Sequence, residues 1–165
     1  MKVEIMAHKQ ALSPQTFRSF PFVELRQSLP SQIALISPFV DQLMRVIARF
    51  GDQEDSGLEI EMALREALAN AMVHGNQEDP HKLVHVVCRC TRDGEVSLTV
   101  QDEGQGFDSN AVPDPTTPEN LLVKHGRGIY LMKTLMDEVH FEQGGALVSM
   151  RKKPNTEPAA DRKAG

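Results

Sequence analysis

The chain has 165 residues, a formal net charge of −5, 40% hydrophobic and 25% charged residues, which is ordinary globular usage and enough for one domain with a real core. The acidic balance, with no basic stripe or aromatic ladder to offset it, excludes the electrostatic footprint of a nucleic-acid binder. No run is long enough to span a membrane and MKVEIMAHKQ lacks the apolar stretch of a signal peptide, so the expected location is cytoplasmic.

Residues 1–20 show no period and end among Phe17, Phe20 and Phe22, which reads as an N-terminal extension docked, if at all, by its aromatics. FVELRQSL alternates apolar with polar between Pro21 and Pro30 and predicts a first strand. Ser37 before Pro38 reads as an N-cap and first helical position. Phe39, Val40, Leu43, Met44, Val46 and Ile47 then give a helix closing at Gly51. After the acidic link DQEDSG, with Asp55 or Ser56 as a cap, comes the stretch Glu61–Asn76. Ile60, Ala63, Leu64, Ala67, Leu68, Ala71 and Met72 recur at helical spacing, while Glu66 and Asn70 stack one turn apart on another line of the same helix. An acid can polarise a hydroxyl and an amide oxygen is a hard ligand suited to magnesium. Taken alone, the stretch is an ordinary amphipathic helix with two polar residues on its wet side, and Gly75 is its expected left-handed C-cap.

Beyond the turn QEDPHK, LVHVVCRCT and EVSLTVQ form a hairpin through Arg92-Asp93-Gly94. Cys88 and Cys90 share one face of its first strand and have no second pair to complete a zinc site, so they read as reduced thiols. The second strand runs into Asp102-Glu103-Gly104-Gln105-Gly106-Phe107-Asp108, where glycines permit close backbone approach and the carboxylate can accept a hydrogen bond from an exocyclic amine. Ser109–His125, with Pro113, Pro115 and Pro118, reads as a cover loop. Gly126-Arg127-Gly128 then opens a helix marked by Ile129, Leu131, Met132, Leu135 and Met136, and free amides at a helix start suit phosphate. On their own, DxGxG is usually a turn and GxG a hinge. A last hairpin, VHFEQ and ALVSMRK, turns at Gly144-Gly145, and 153–165 has the composition of a disordered tail.

The order of these motifs resembles the GHKL ATPase superfamily, the HATPase or Bergerat fold. Glu66-Ala67-Leu68-Ala69-Asn70-Ala71 with His74-Gly75-Asn76 is similar to its N box, Asp102–Phe107 to its first glycine box, and Gly126-Arg127-Gly128-Ile129 to its second. Within it, the HGN ending, the short lid with PENLL and GRGIYLMKTLMDEV are most similar to the stand-alone anti-sigma-factor serine/threonine kinases of the RsbW type. The resemblance covers about Phe22–Lys152 and implies domain limits of 21–152 between the 1–20 extension and the 153–165 tail. It implies an α+β fold: a two-layer α/β sandwich with a mixed, mostly antiparallel sheet and about three helices on one face.

Residue by residue, the resemblance assigns Glu66 as the base for the attacking hydroxyl and Asn70 as the magnesium ligand, with His74, Gly75 and Asn76 nearby. Asp102 would read the adenine amine, Gly104, Gly106 and Phe107 would surround base and ribose, and Gly126, Arg127, Gly128 and Ile129 would hold the phosphates of ATP. Two departures stand out: GGALVS places Ala146 and Leu147 where relatives often carry a hydroxyl near adenine, which leaves that contact to Asp102, and Arg127 replaces a small or apolar residue. The implied activity is transfer of the ATP γ-phosphate to a serine or threonine of an anti-anti-sigma partner of the STAS fold, with a sigma factor as a second partner and a homodimer as the assembly. The alternative is a nucleotide-switched binding module with little or no kinase activity. The presence of Glu66 favours the kinase. The scattered histidines, with no paired-helix segment to present one, disfavour a complete histidine kinase.

Overall fold

Period-two alternation builds the sheet of the computed structural model, which describes residues 4–5, 21–50, 56–106 and 127–154. In β2 (Phe22–Pro30) Val23, Leu25 and Leu29 are buried, and in β3 (Leu83–Thr91) the buried set is Val84, Val86, Cys88 and Cys90. The same register continues through Val96, Leu98, Val100 and Asp102 of β4 (Val96–Asp102) and Val148 and Met150 of β6 (Leu147–Lys152). With β5 (Glu138–Glu142) and the two-residue β1 (Glu4–Ile5), the strand order is β1-β2-β3-β4-β6-β5. Every pairing is antiparallel, so the sheet is not mixed among the described residues. The short β1, which pairs Glu4 with Arg26 and Ile5 with Leu25, carries no period that could have announced it.

Among the described residues, three α-helices cover the apolar face: α1 (Ile36–Phe50), α2 (Gly57–Ala69) and α3 (Arg127–Leu135). Phe39, Val40, Leu43 and Ile47 from α1, Ile60, Ala63, Leu64, Ala67 and Leu68 from α2, and Met132 from α3 join the strand residues in one core. Burying a side chain of this size stabilises by about 1.5–3 kcal/mol relative to leaving it exposed. The opposite face presents Glu24, Arg26, Ser97, Thr99 and Arg151 to solvent or half-buried positions, the pattern of an antiparallel sheet wet on one side.

Three local expectations are corrected. Ser37 is not an N-cap, because a 3-10 turn at Ile33–Leu35 feeds the chain into α1 at Ile36, two residues before the expected start at Pro38. Its hydroxyl accepts a hydrogen bond from Arg65 Nη1 at 3.1 Å instead. The stretch after α2 is a π-helical turn, Asn70–Gly75, rather than more α-helix. Gly75 is not a left-handed cap: Gln77 and Glu78, each with φ 57°, turn the chain, and Glu78 N–H closes onto Met72 O at 2.8 Å. Cys88 and Cys90 are both buried and free, with Sγ atoms 3.7 Å apart. Their mutual hydrogen bond, followed by burial, pushes the Cys88 thiol well above its ordinary pKa.

Candidate nucleotide site

Glu66 is half-buried on α2, and Asn70 sits one turn on, where the helix widens. Asn70 N–H reaches the carbonyls of both Ala67 and Glu66, and Asn76 N–H bonds five residues back to Ala71 O at 2.8 Å. Such π turns recur at functional sites because the extra residue re-aims the side chains around it. Against this turn packs the start of α3. A Cβ at Gly128 would lie 2.6 Å from Glu66 Oε2 and 3.3 Å from Asn70 Nδ2, closer to the carboxylate than real Cβ contacts come. Glycine thus lets α3 lie this close to the acid and the amide with the Glu66 carboxylate where it stands.

At the end of β4 a second close approach forms. A Cβ on Gly75 would sit 2.5 Å from Asp102 Oδ1, and one on Gly104 would overlap the Gly75 carbonyl while lying 2.7 Å from the same oxygen. Gly104 N–H donates to Asp102 Oδ1 at 2.8 Å. Gly106 takes φ 75° against the Gln143–Gly144 turn, where its missing Cβ would fall 2.9 Å from Gln143 O. Asp102 is only 8% exposed. Burial raises its pKa from the ordinary carboxylate value, and the Gly104 amide and the charge of Lys82 work against that rise.

Asp102 and Asn70 line one pocket, whose other walls are mostly apolar: Ala67, Ala71, Val100, Met132, Phe141, Ala146 and Val148, with Gly145. Adding Gly128 beside Glu66 and Asn70 completes a site made from the π turn, the β4 end, the α3 start and the β5–β6 turn. The lining, mostly apolar with few polar groups, has the chemistry that meets the faces of a heteroaromatic ring and one donor at its edge.

Other predicted positions distribute differently. His74 is exposed on the π turn, and Arg127 is exposed as the first residue of α3. Ile129 is half-buried and packs on the core. Asn76 is fully buried, with Nδ2 donating to Leu83 O and Oδ1 accepting from Glu103 N, each at 2.9 Å, so its side chain faces backbone rather than the pocket. Phe107, Gly126 and the proline-containing cover lie outside the described residues. Ala146 is buried at the pocket wall and its carbonyl accepts from Asp102 N–H at 2.9 Å, so an apolar residue does stand at that turn. Sequence reasoning missed the walls Val100, Met132 and Phe141 and the charge of Lys82. Val100 shares the face of Asp102 two residues back, a usable signal, whereas Lys82 joins the site only through the turn before β3.

A sequence profile of the histidine kinase-like ATPase domain matches residues 29–152. The chain belongs to the histidine kinase-like ATPase family. The matched span contains the three helices, the π turn, the four strands β3 to β6 and the end of β2, and hence every described part of the pocket. Among curated members, the chain is 34% identical over 126 residues to the anti-sigma F factor of Clostridium perfringens, covering 73% of this chain and 84% of that protein. It is 28% identical over 138 residues to the serine-protein kinase RsbW of Staphylococcus epidermidis, covering 79% and 86%. It is 35% identical over 94 residues to the anti-sigma F factor of Heyndrickxia coagulans, covering 53% of this chain and 63% of that relative. No described helix of this family member is long and apolar enough to cross a membrane.

Proposed function

We propose that this histidine kinase-like ATPase domain is an ATP-dependent protein serine/threonine kinase of the anti-sigma-factor type. The observation that carries the reading is the shared pocket: an amine-accepting carboxylate, Asp102, and a metal-competent amide, Asn70, line the same space, with Glu66 one turn from Asn70. Relatives named anti-sigma F factor and serine-protein kinase support the activity class.

In this reading Asp102 accepts the adenine amine and the apolar walls take the ring faces. Gly128 brings the positive end of α3 next to Glu66, where negative phosphate is favoured. Glu66 takes the proton of the incoming hydroxyl as its oxygen attacks the γ-phosphorus, and ADP leaves. Asn70, half-buried at the pocket with an amide oxygen, fits a magnesium ligand, and magnesium when bound would offset charge on the phosphates. The acceptor is a serine or threonine of an anti-anti-sigma protein of the STAS fold, the second partner is a sigma factor, the assembly is a homodimer and the compartment is the cytoplasm.

Affinity capture from the native cell with ATP or ADP present, followed by phosphosite mapping on any retained STAS-fold protein, tests the reading. Glu66→Gln should lower phosphotransfer by about 100-fold or more, as expected for loss of a general base, with ATP binding retained. Normal turnover in that variant removes Glu66 from the mechanism. Failure to recover and phosphorylate a STAS-fold protein shifts the reading to a nucleotide-switched binding module.

A further inference from the structure

Asn76 follows the π turn, and its side chain is spent entirely inside the protein. Its Nδ2 donates to Leu83 O and its Oδ1 accepts from Glu103 N, both at 2.9 Å, while Leu83 N–H donates to Glu103 Oε2 at 2.8 Å. Asn76, Leu83 and Glu103 thus close a ring of three hydrogen bonds. Each member is the chain neighbour of a residue that touches or pairs with Asp102. Asn76 follows Gly75, on which the carboxylate rests. Glu103 follows Asp102 itself, and Leu83 precedes Val84, the register partner of Asp102 across β3 and β4. The ring ties together the three segments that decide where the carboxylate stands.

We propose that Asn76 and Glu103 are positioning residues for adenine selection: the ring holds Asp102 against Gly75 at the depth where it meets the base edge, and neither side chain contacts nucleotide. This rests on the reading of Asp102 as the adenine acceptor. A buried amide with both ends satisfied is costly to truncate, because its partners, Leu83 O and Glu103 N, are left without it. The gap between Gly75 and Asp102 is too tight for even a methyl group, so small displacements of the β4 end are felt directly at the carboxylate. Glu103 is exposed, so its role in the ring can be tested without opening the core.

The test compares the full chain and its variants for binding of ATP and inosine triphosphate, which carries an oxygen where adenine carries its amine, alongside thermal unfolding. The wild type should prefer ATP by about 10-fold or more, the range of a hydrogen bond to a charged acceptor. Asn76→Ala and Glu103→Ala should compress that ratio towards one, chiefly by weakening ATP, while inosine triphosphate binding changes by less than about 2-fold, as expected for loss of the amine contact alone. Glu103→Gln keeps an acceptor for Leu83 N–H and should retain the wild-type ratio. If Asn76→Ala does not fold, the two Glu103 variants decide. An unchanged ratio in folded Glu103→Ala overturns the proposal, as does a Glu103→Gln ratio as compressed as that of Glu103→Ala. A wild type that does not distinguish the two nucleotides overturns instead the assignment of Asp102, and this proposal with it.

Discussion

Two polar clusters occupy opposite faces of the same sheet and obey opposite rules. On the helix side, Asp102 is held between Gly75 and Gly104 in a largely apolar pocket, and burial raises its pKa. On the open side, Glu138 hydrogen-bonds Arg151 through both carboxylate oxygens and pairs with Lys153 Nζ at 3.2 Å, while Arg151 also meets Glu95 Oε2 at 3.4 Å. The Arg151 hydrogen bonds, followed by those to Lys153, hold the Glu138 carboxyl below its usual range. A carboxylate held out of water with a backbone amide as its side-chain donor can still accept from a ligand, whereas one in water surrounded by cations is already matched and largely screened. The first arrangement suits ligand selection and the second suits surface packing.

The largest break in this contrast is Gly75→Ala. The added methyl collides with the Asp102 carboxylate, so ATP binding should weaken by up to about 100-fold through loss of the amine contact, while the overpacking lowers stability by about 1–3 kcal/mol. Calorimetric titration of a variant that keeps its far-ultraviolet dichroism checks this, and wild-type affinity would show that the gap is not needed.

A smaller effect follows from pH. Protonated Asp102 cannot accept the adenine amine as a carboxylate, so ATP affinity should fall as pH drops through its raised pKa, earlier than an ordinary aspartate would dictate. For the nucleotide-free fold the sign is reversed. A raised folded pKa contributes stability that is present below the unfolded value and lost as pH rises through the folded one. Glu138, with its lowered pKa, contributes stability above its unfolded value that is lost as pH falls through the folded one. Binding and unfolding measured across the acid range on one preparation separate the two, and ATP affinity flat across that range would remove Asp102 as an ionised acceptor.

The smallest effect belongs to Glu138→Gln, which should leave ATP affinity at the wild-type value and shift the melting temperature only slightly, and less in high salt. A loss of nucleotide binding in this variant would mean that the two faces are coupled.

Much of this was legible before the structure. The alternation in β2, β3 and β4 and the Asp93-Gly94 turn are short-range signals, and they placed the sheet and its central hairpin. Glu66 and Asn70 were readable as a stacked pair because helical spacing alone decides it. The π turn was not, since no residue type in Asn70–Gly75 requires the wider winding. Gly75 illustrates the limit best: a glycine at a helix end predicts a left-handed cap, whereas the real requirement, the Asp102 carboxylate, stands at the end of β4, 27 residues further along the chain. What the Asn76 side chain bonds was likewise not readable, its partners Leu83 and Glu103 being distant along the chain. Long-range packing, rather than local pattern, decides what both residues do.

The central claim is that Asp102 reads the base, and titration of Asp102→Asn with ATP and inosine triphosphate tests it most directly. The substitution is nearly isosteric and keeps an oxygen for the Gly104 amide, so the pocket is preserved. The expected result is ATP weakened by about 10- to 100-fold, the worth of a hydrogen bond to a charged acceptor, with the preference over inosine triphosphate lost. Unchanged ATP affinity with the preference intact would contradict the account.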